Sequence, residues 1–256
     1  MNKLHNMKAT PEMLREGLKE NALKHKNYNM YTSMDRAMCL LLTGNLYISN
    51  GATWNDVQDR ATMKKCSAYG ICMSCSTIES MAMWILYSGE RGKNGAMIQF
   101  VPSIIKEIIN TATIELGKFG DDKAFVSAPF VLSRKNNDFS IYMTDVVYTA
   151  AQKDPKLLKA TVGSDNEIML WDLLEEAKAF HKHYAWSYEK ECRLIVELSP
   201  KMKEYAEANG LNMICIRLSE TARRALVSRV VRSPIYRGNT DFGKISALQG
   251  SIDWEI

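Results

Sequence analysis

The hydrophobic pattern is clearest between Trp186 and Leu198. From Lys190 onward it alternates with the period of a strand. Cys192, Leu194, Val196 and Leu198 fall on one face, and Glu189, Glu191, Arg193, Ile195 and Glu197 on the other. The first face predicts contact with a core. The second reads as half-exposed, with two carboxylates and a guanidinium in a row where the strand begins. Tyr184, Trp186 and Tyr188 lead into it, and Ser199-Pro200 breaks it.

Around this strand the same reading alternates helices with strands. Thr10-Pro11-Glu12 predicts a helix start, followed by an apolar stripe of Met13, Leu14, Leu18, Ala22 and Leu23. Further helices are predicted over 35–42, 80–87, 104–116, 170–183, 203–208, 219–226 and 241–248, with Gly44 stopping the first of them. Strands are predicted over 27–33, 46–49, 69–76, 96–101, 124–132, 141–148, 212–218 and 229–234. Trp54-Asn55-Asp56 reads as loop. No repeat or linker interrupts the pattern. The expectation is one α+β domain over 28–256 behind an N-terminal helical extension, 1–27.

Composition narrows the class. The 256 residues are 46% hydrophobic and 24% charged, as in a soluble globular protein. No run is apolar enough to cross a bilayer, and Met1 to Asn6 lacks a signal-peptide stretch. A cytoplasmic protein with no membrane partner is expected. In that compartment the six cysteines, Cys39, Cys66, Cys72, Cys75, Cys192 and Cys215, should be reduced. Cys72 and Cys75 make half of a zinc motif, with His181 and His183 as conceivable further ligands, but no second pair follows. The expectation is small buried thiols and no metal.

The net charge of +4 permits a nucleic-acid partner without demanding one. Its distribution says more. Arg217, Arg223, Arg224, Arg229, Arg232 and Arg237 crowd one segment whose only acid is Glu220, which leaves the remainder near neutral. Concentrated guanidinium suits phosphate, and the first five are candidate nucleic-acid contacts.

Several short motifs stand in a telling order: Tyr31-Thr32-Ser33, Gly44-Asn45-Leu46-Tyr47-Ile48-Ser49, Asn55-Asp56, Cys75-Ser76, Met83 to Tyr87, Gly95 to Phe100, and Trp186 to Arg193. This order, over about residues 28 to 235, resembles a bacterial family of unassigned domains found beside phage-defence genes. Those domains look like distant mono-ADP-ribosyltransferases. The resemblance implies a split β-sandwich of two small, mostly antiparallel sheets with flanking helices, and NAD as substrate. It places Tyr31 and Thr32 at the nicotinamide ribose, Ser74 or Ser76 against the nicotinamide, and Glu191 as the catalytic glutamate with Glu189 two residues before it. The position where the family usually has histidine holds Met30.

Chemistry supports that assignment of the glutamates. Cleaving the nicotinamide–ribose bond develops positive charge on the sugar, which a carboxylate on the 2′-hydroxyl stabilises most in the transition state. That is the expected role of Glu191. Glu189 would orient or deprotonate the acceptor. The implied protein is a toxin that modifies RNA or single-stranded DNA and has a neutralising antitoxin partner. Two other classes compete with it. One is a degenerate module that only senses a nucleotide or a phage protein. The other is a zinc-dependent nuclease or nucleic-acid binder built on Cys72 and Cys75.

Overall fold

The computed structural model describes residues 10–52, 54, 56–149, 165–227 and 229–237, with side chains omitted for 165–169. The strands are β1 Tyr28–Ser33, β2 Asn45–Ser49, β3 Ala68–Ser74, β4 Gly95–Phe100, β5 Thr113–Phe119, β6 Phe125–Ser127, β7 Phe139–Asp145, β8 Val147–Thr149, β9 His181–His183, β10 Glu191–Leu198, β11 Met213–Arg217 and β12 Val230–Arg232. The helices are α1 Pro11–Ala22, α2 Met34–Thr43, α3 Val57–Cys66, α4 Met81–Tyr87, α5 Pro102–Thr111, α6 Asp165–Glu176, α7 Pro200–Ala208 and α8 Glu220–Val227. The class is α+β with a mostly antiparallel sheet. The exception is the pair β8–β9, which is parallel.

Strand β3 is the branch point. One edge carries β10 in unbroken antiparallel register from Glu191↔Ser74 to Glu197↔Ala68. The other edge meets β1 only at Asn29↔Ser74 and β2 only at Ser49↔Gly70. Strands β1 and β2 therefore splay apart at Cys72. Beyond β1 the order continues to β4 and β12, and beyond β2 to β11, β5 and β6. Strand β7 pairs the far edge of β10. Ten strands thus join in one branched assembly, where the sequence suggested two separate sheets.

The half-exposed reading of β10 is corrected, because both its faces are buried. Cys192, Leu194, Val196 and Leu198 enter the main core with Met73, Met143, Met30 and Ile98. Ile195 joins a second, smaller core of Met63, Cys66, Ala68, Val146 and Phe180. The cover on that side is α3, which the sequence reading passed over. Its run VQDRATMKKC has no continuous apolar stripe. A cap does mark it: Asp56 accepts from the N–H groups of Gln58 and Asp59 at 2.7 and 3.2 Å.

Four other boundaries differ from expectation. The helix expected over 170–183 ends at Glu176, and Lys178 then turns in the left-handed region at φ 52°. The chain re-emerges as β9, which pairs with β8. The helix over 104–116 ends at Thr111, because Ile114 and Leu116 face the core while Glu115 pairs with Arg217 on the other side of β5. Of 124–132 only β6 is strand. The strand over 141–148 breaks at Val146, whose N–H donates to the Glu191 carbonyl.

Helix α1 lies on the domain. Leu14 and Leu18 pack against Leu174, Ala177, Ala179 and Val147. Arg15 pairs with Glu197 and donates to Tyr142, and His25 Nε2 sits 2.7 Å from Asp145. The helix expected over 241–248 lies outside the described residues. No helix among the described residues is long and apolar enough to cross a membrane.

Candidate active site at a buried ion cluster

Strand parity decides which side chains meet. On β1, Tyr28 and Met30 enter the main core, so Asn29 and Tyr31 point to the opposite face. Thr32 shares the parity of Met30 and is 7% exposed, which turns it away from the residues it was expected to join. Met30 likewise faces the core. Asn29, unremarked in the sequence, stands in register with Ser74, which stands in register with Glu191. The backbones of Tyr31 and Glu191 lie about 12 Å apart, from two strand spacings and two residues of rise.

Around Glu191 five charged side chains close into a cluster. Arg193 Nε donates to Glu191 Oε1 at 2.6 Å, and its two Nη groups hold Asp59 at 2.8 and 2.7 Å. The guanidinium is fully buried between the rings of Trp54 and Phe180, 5.0 and 4.5 Å from its carbon. Lys182 Nζ lies 2.8 Å from Glu189 Oε2, 2.6 Å from Glu191 Oε2 and 3.9 Å from Asp59. Tyr87, from α4, donates to the other oxygen of Glu189. Tyr148 accepts the Glu191 N–H at 2.9 Å. With all five ionised, three carboxylates against two cations leave one net negative charge.

The two glutamates differ electrostatically. Burial alone would raise Glu191, but the charges of Arg193 and Lys182 outweigh it and hold the carboxyl at about 2. Burial pushes Glu189 up, against the pull of Lys182. Asp59 is also raised by burial despite Arg193. Lys182 is lowered by burial but raised further by Glu191, so it stays charged. One atom is left over. Glu191 Oε2 is buried without a hydrogen-bond donor, because Lys182 approaches it out of line.

Glu189 is not a residue of β10. It ends a 3-10 turn over Tyr184–Glu189, and Lys190, at φ 42°, reverses the chain before the strand begins. It is 1% exposed with both oxygens engaged, so its expected contact with an acceptor gives way to holding Lys182 and Tyr87. The turn instead exposes its aromatics. Tyr184, Trp186 and Tyr188 are 64%, 41% and 39% accessible.

The serine and tyrosine candidates are engaged with backbone. Ser74 Oγ donates to the Glu189 carbonyl at 2.6 Å. Ser76 Oγ donates to the Ile78 carbonyl at 2.9 Å, while the Ser76 carbonyl accepts from Asn29. Tyr31 stands edge-on to Trp84 at 4.9 Å and hydrogen-bonds backbone at Ser80. Cys72 corrects the expectation of a buried thiol: it is exposed where β1 and β2 splay, beside Glu191. The surrounding protein and that carboxylate raise its thiol well above the usual range. Among the described residues no three His, Cys, Asp or Glu side chains are grouped to hold a metal.

The arginines do not form one stripe. Arg217 is bidentate to Glu115, Arg224 pairs with Glu220, and Arg223 donates to the Leu42 carbonyl. Arg229 donates to Gln99, and Arg232 lies over the Tyr236 ring. In sheet order β2, β3, β1 and β4 stand between the strand of Arg217 and that of Arg232.

Asp59, Tyr87, Tyr148 and Lys182 are the site residues that sequence reasoning missed. Lys182 lay hidden in a misjudged helix. Asp59 followed a capping aspartate at the spacing that could have marked it.

No curated protein and no solved structure matches the chain. A family model described as "Protein of unknown function (DUF2971)" matches residues 83–194. That stretch runs from α4 into β10 and holds Tyr87, Lys182, Glu189, Glu191 and Arg193, while Asn29, Asp59 and Ser74 lie outside it. Over those residues the chain is similar to a family without an assigned function.

Proposed function

We propose that the chain is an NAD-dependent mono-ADP-ribosyltransferase, a toxin of anti-phage defence that works without a metal on a split β-sandwich. The observation that carries this reading is Glu191 itself. Its carboxylate is buried and held ionised by Arg193 and Lys182, and one oxygen has no hydrogen-bond donor. A ribose 2′-hydroxyl is a donor of the right kind. As the bond to nicotinamide breaks, the sugar becomes cationic and that contact strengthens. The net negative cluster behind it acts in the same direction.

Other residues take supporting parts. Arg193 and Lys182 keep Glu191 charged and fix its rotamer. Ser74 and Glu189 position the turn. Tyr31, against Trp84, supplies an aromatic wall two strands away.

For the acceptor, the exposed Tyr184, Trp186 and Tyr188 favour nucleic acid, RNA before DNA, since bases stack on aromatic rings whatever their sequence. Arg223, Arg224 and Arg232 would add phosphate contacts at a distance. A neutralising protein suits the exposed apolar residues Ile78, Met81, Ile85 and Leu86. The burial of Glu191, 5% exposed, favours the second reading, a non-catalytic nucleotide-sensing module.

Incubation with NAD labelled in the adenylate, in total cell lysate, separates these readings. Macromolecular label removed by nuclease and not by protease is expected. Label that only protease removes would give a protein acceptor. Intact NAD with no label would leave the sensing module.

A further inference from the structure

The face that bears Glu191 also carries a transverse polar row. In register across the strands, Glu191 stands beside Ser74, Ser74 beside Asn29, and Asn29 beside Gln99. Arg229 completes the row from the residue before β12. Its carbonyl accepts from the Gln99 N–H at 3.0 Å, and its Nη1 donates to Gln99 Oε1 at 3.3 Å. Gln99 Nε2 donates in turn to Asn29 Oδ1 at 3.4 Å. Parity agrees, because Tyr28, Met30, Ile98 and Phe100 face the main core from the same strands.

The row therefore has a carboxylate at one end and a guanidinium at the other. Four strand spacings separate their backbones, about 19 Å. Side chains reaching inward from both ends leave about 10 Å between the charged groups. That polarity and span suit a dinucleotide, with the glycoside that becomes cationic at Glu191 and the diphosphate one ribose further along. A guanidinium fork matches phosphate oxygens two at a time. The amides of Asn29 and Gln99 hold each other, and Gln99 holds Arg229, so the arginine is braced from the strand beside it.

We infer that Arg229 binds the diphosphate of the NAD substrate. The inference rests on the NAD reading above and moves Arg229 from the acceptor side, where its arginine-dense segment suggested it belonged, to the donor side.

Calorimetric binding of ADP-ribose, which keeps the diphosphate and lacks nicotinamide, tests this on the full chain. Wild type should bind, and Arg229→Ala should bind about tenfold to a hundredfold more weakly, the range for a hydrogen bond to a charged group. Arg229→Gln, which can still donate to Gln99, should show the same loss with an unchanged melting temperature. Release of nicotinamide from nicotinamide riboside, which has no phosphate, should be equal in all three proteins. Folded Arg229→Gln that binds ADP-ribose as wild type does would overturn the assignment and leave the NAD reading standing. Wild type that binds neither ADP-ribose nor NAD would overturn both.

Discussion

Lys182 Nζ lies 2.6 Å from Glu191 Oε2 yet aims no hydrogen bond at it. The charge of the carboxylate is compensated while a lone pair stays open to a ligand. A surface ion pair would not need this arrangement, since water would occupy the lone pair. At 5% exposure water has little access to it.

Removing the cation should leave two carboxylates uncompensated. Lys182→Met is expected to lower stability by about 3–5 kcal/mol, the range for breaking a buried pair from one side. Denaturant unfolding measures it. A loss within about 0.5 kcal/mol, the range of ordinary surface substitutions, would mean that Lys182 is solvated and the cluster open.

Acid should act on the same group. The ordinary carboxyl value of 4.5 falls to about 2 for Glu191. A depressed carboxyl contributes stability above its unfolded value, and that contribution is lost as pH falls from about 4.5 to about 2. Asp59 and Glu189 are raised and run in the opposite sense, so the test is a difference between proteins. Glu191→Gln should show a flatter stability–pH curve across that window than wild type. Parallel curves would remove the depression.

The second core over the site face should resist overpacking. A Cβ at Gly70 would meet Ile195 Cδ1 at 2.7 Å and Met63 Cε at 3.2 Å. Gly70→Ala is therefore expected to cost about 1–3 kcal/mol, although the backbone there is ordinary strand. A neutral result in thermal unfolding would place α3 further from the sheet than described.

Helix α4 is tied to the turn by one hydroxyl. Tyr87→Phe removes the donor to a Glu189 oxygen on a residue 1% exposed, and is expected to cost about 1–3 kcal/mol. A melting temperature equal to wild type would mean water takes the place of the hydroxyl.

Much of the strand framework was legible because apolar alternation and caps are local. Ser33, Gly44 and Ser199 mark element ends in the sequence and in the structure alike. What was hidden depends on both faces of a strand. Arg193 alternates as an exposed residue would, and only the distant Asp59 and Lys182 make its burial tolerable. Glu189 and Glu191 looked like neighbours on one face, but the left-handed Lys190 between them sends them to Lys182 by different routes. Tyr31 and Thr32 are adjacent in sequence and opposed in space for the simplest reason, the period of two.

The central claim is that Glu191 promotes cleavage of the nicotinamide–ribose bond. Nicotinamide release from NAD by purified wild type and by Glu191→Gln, each shown to be folded by its melting transition, tests it most directly. Wild type should release nicotinamide, and the variant should do so at least about a hundredfold more slowly, the scale for losing one electrostatic stabiliser of a transition state. Equal rates in the two folded proteins, or NAD left intact by wild type, would contradict it.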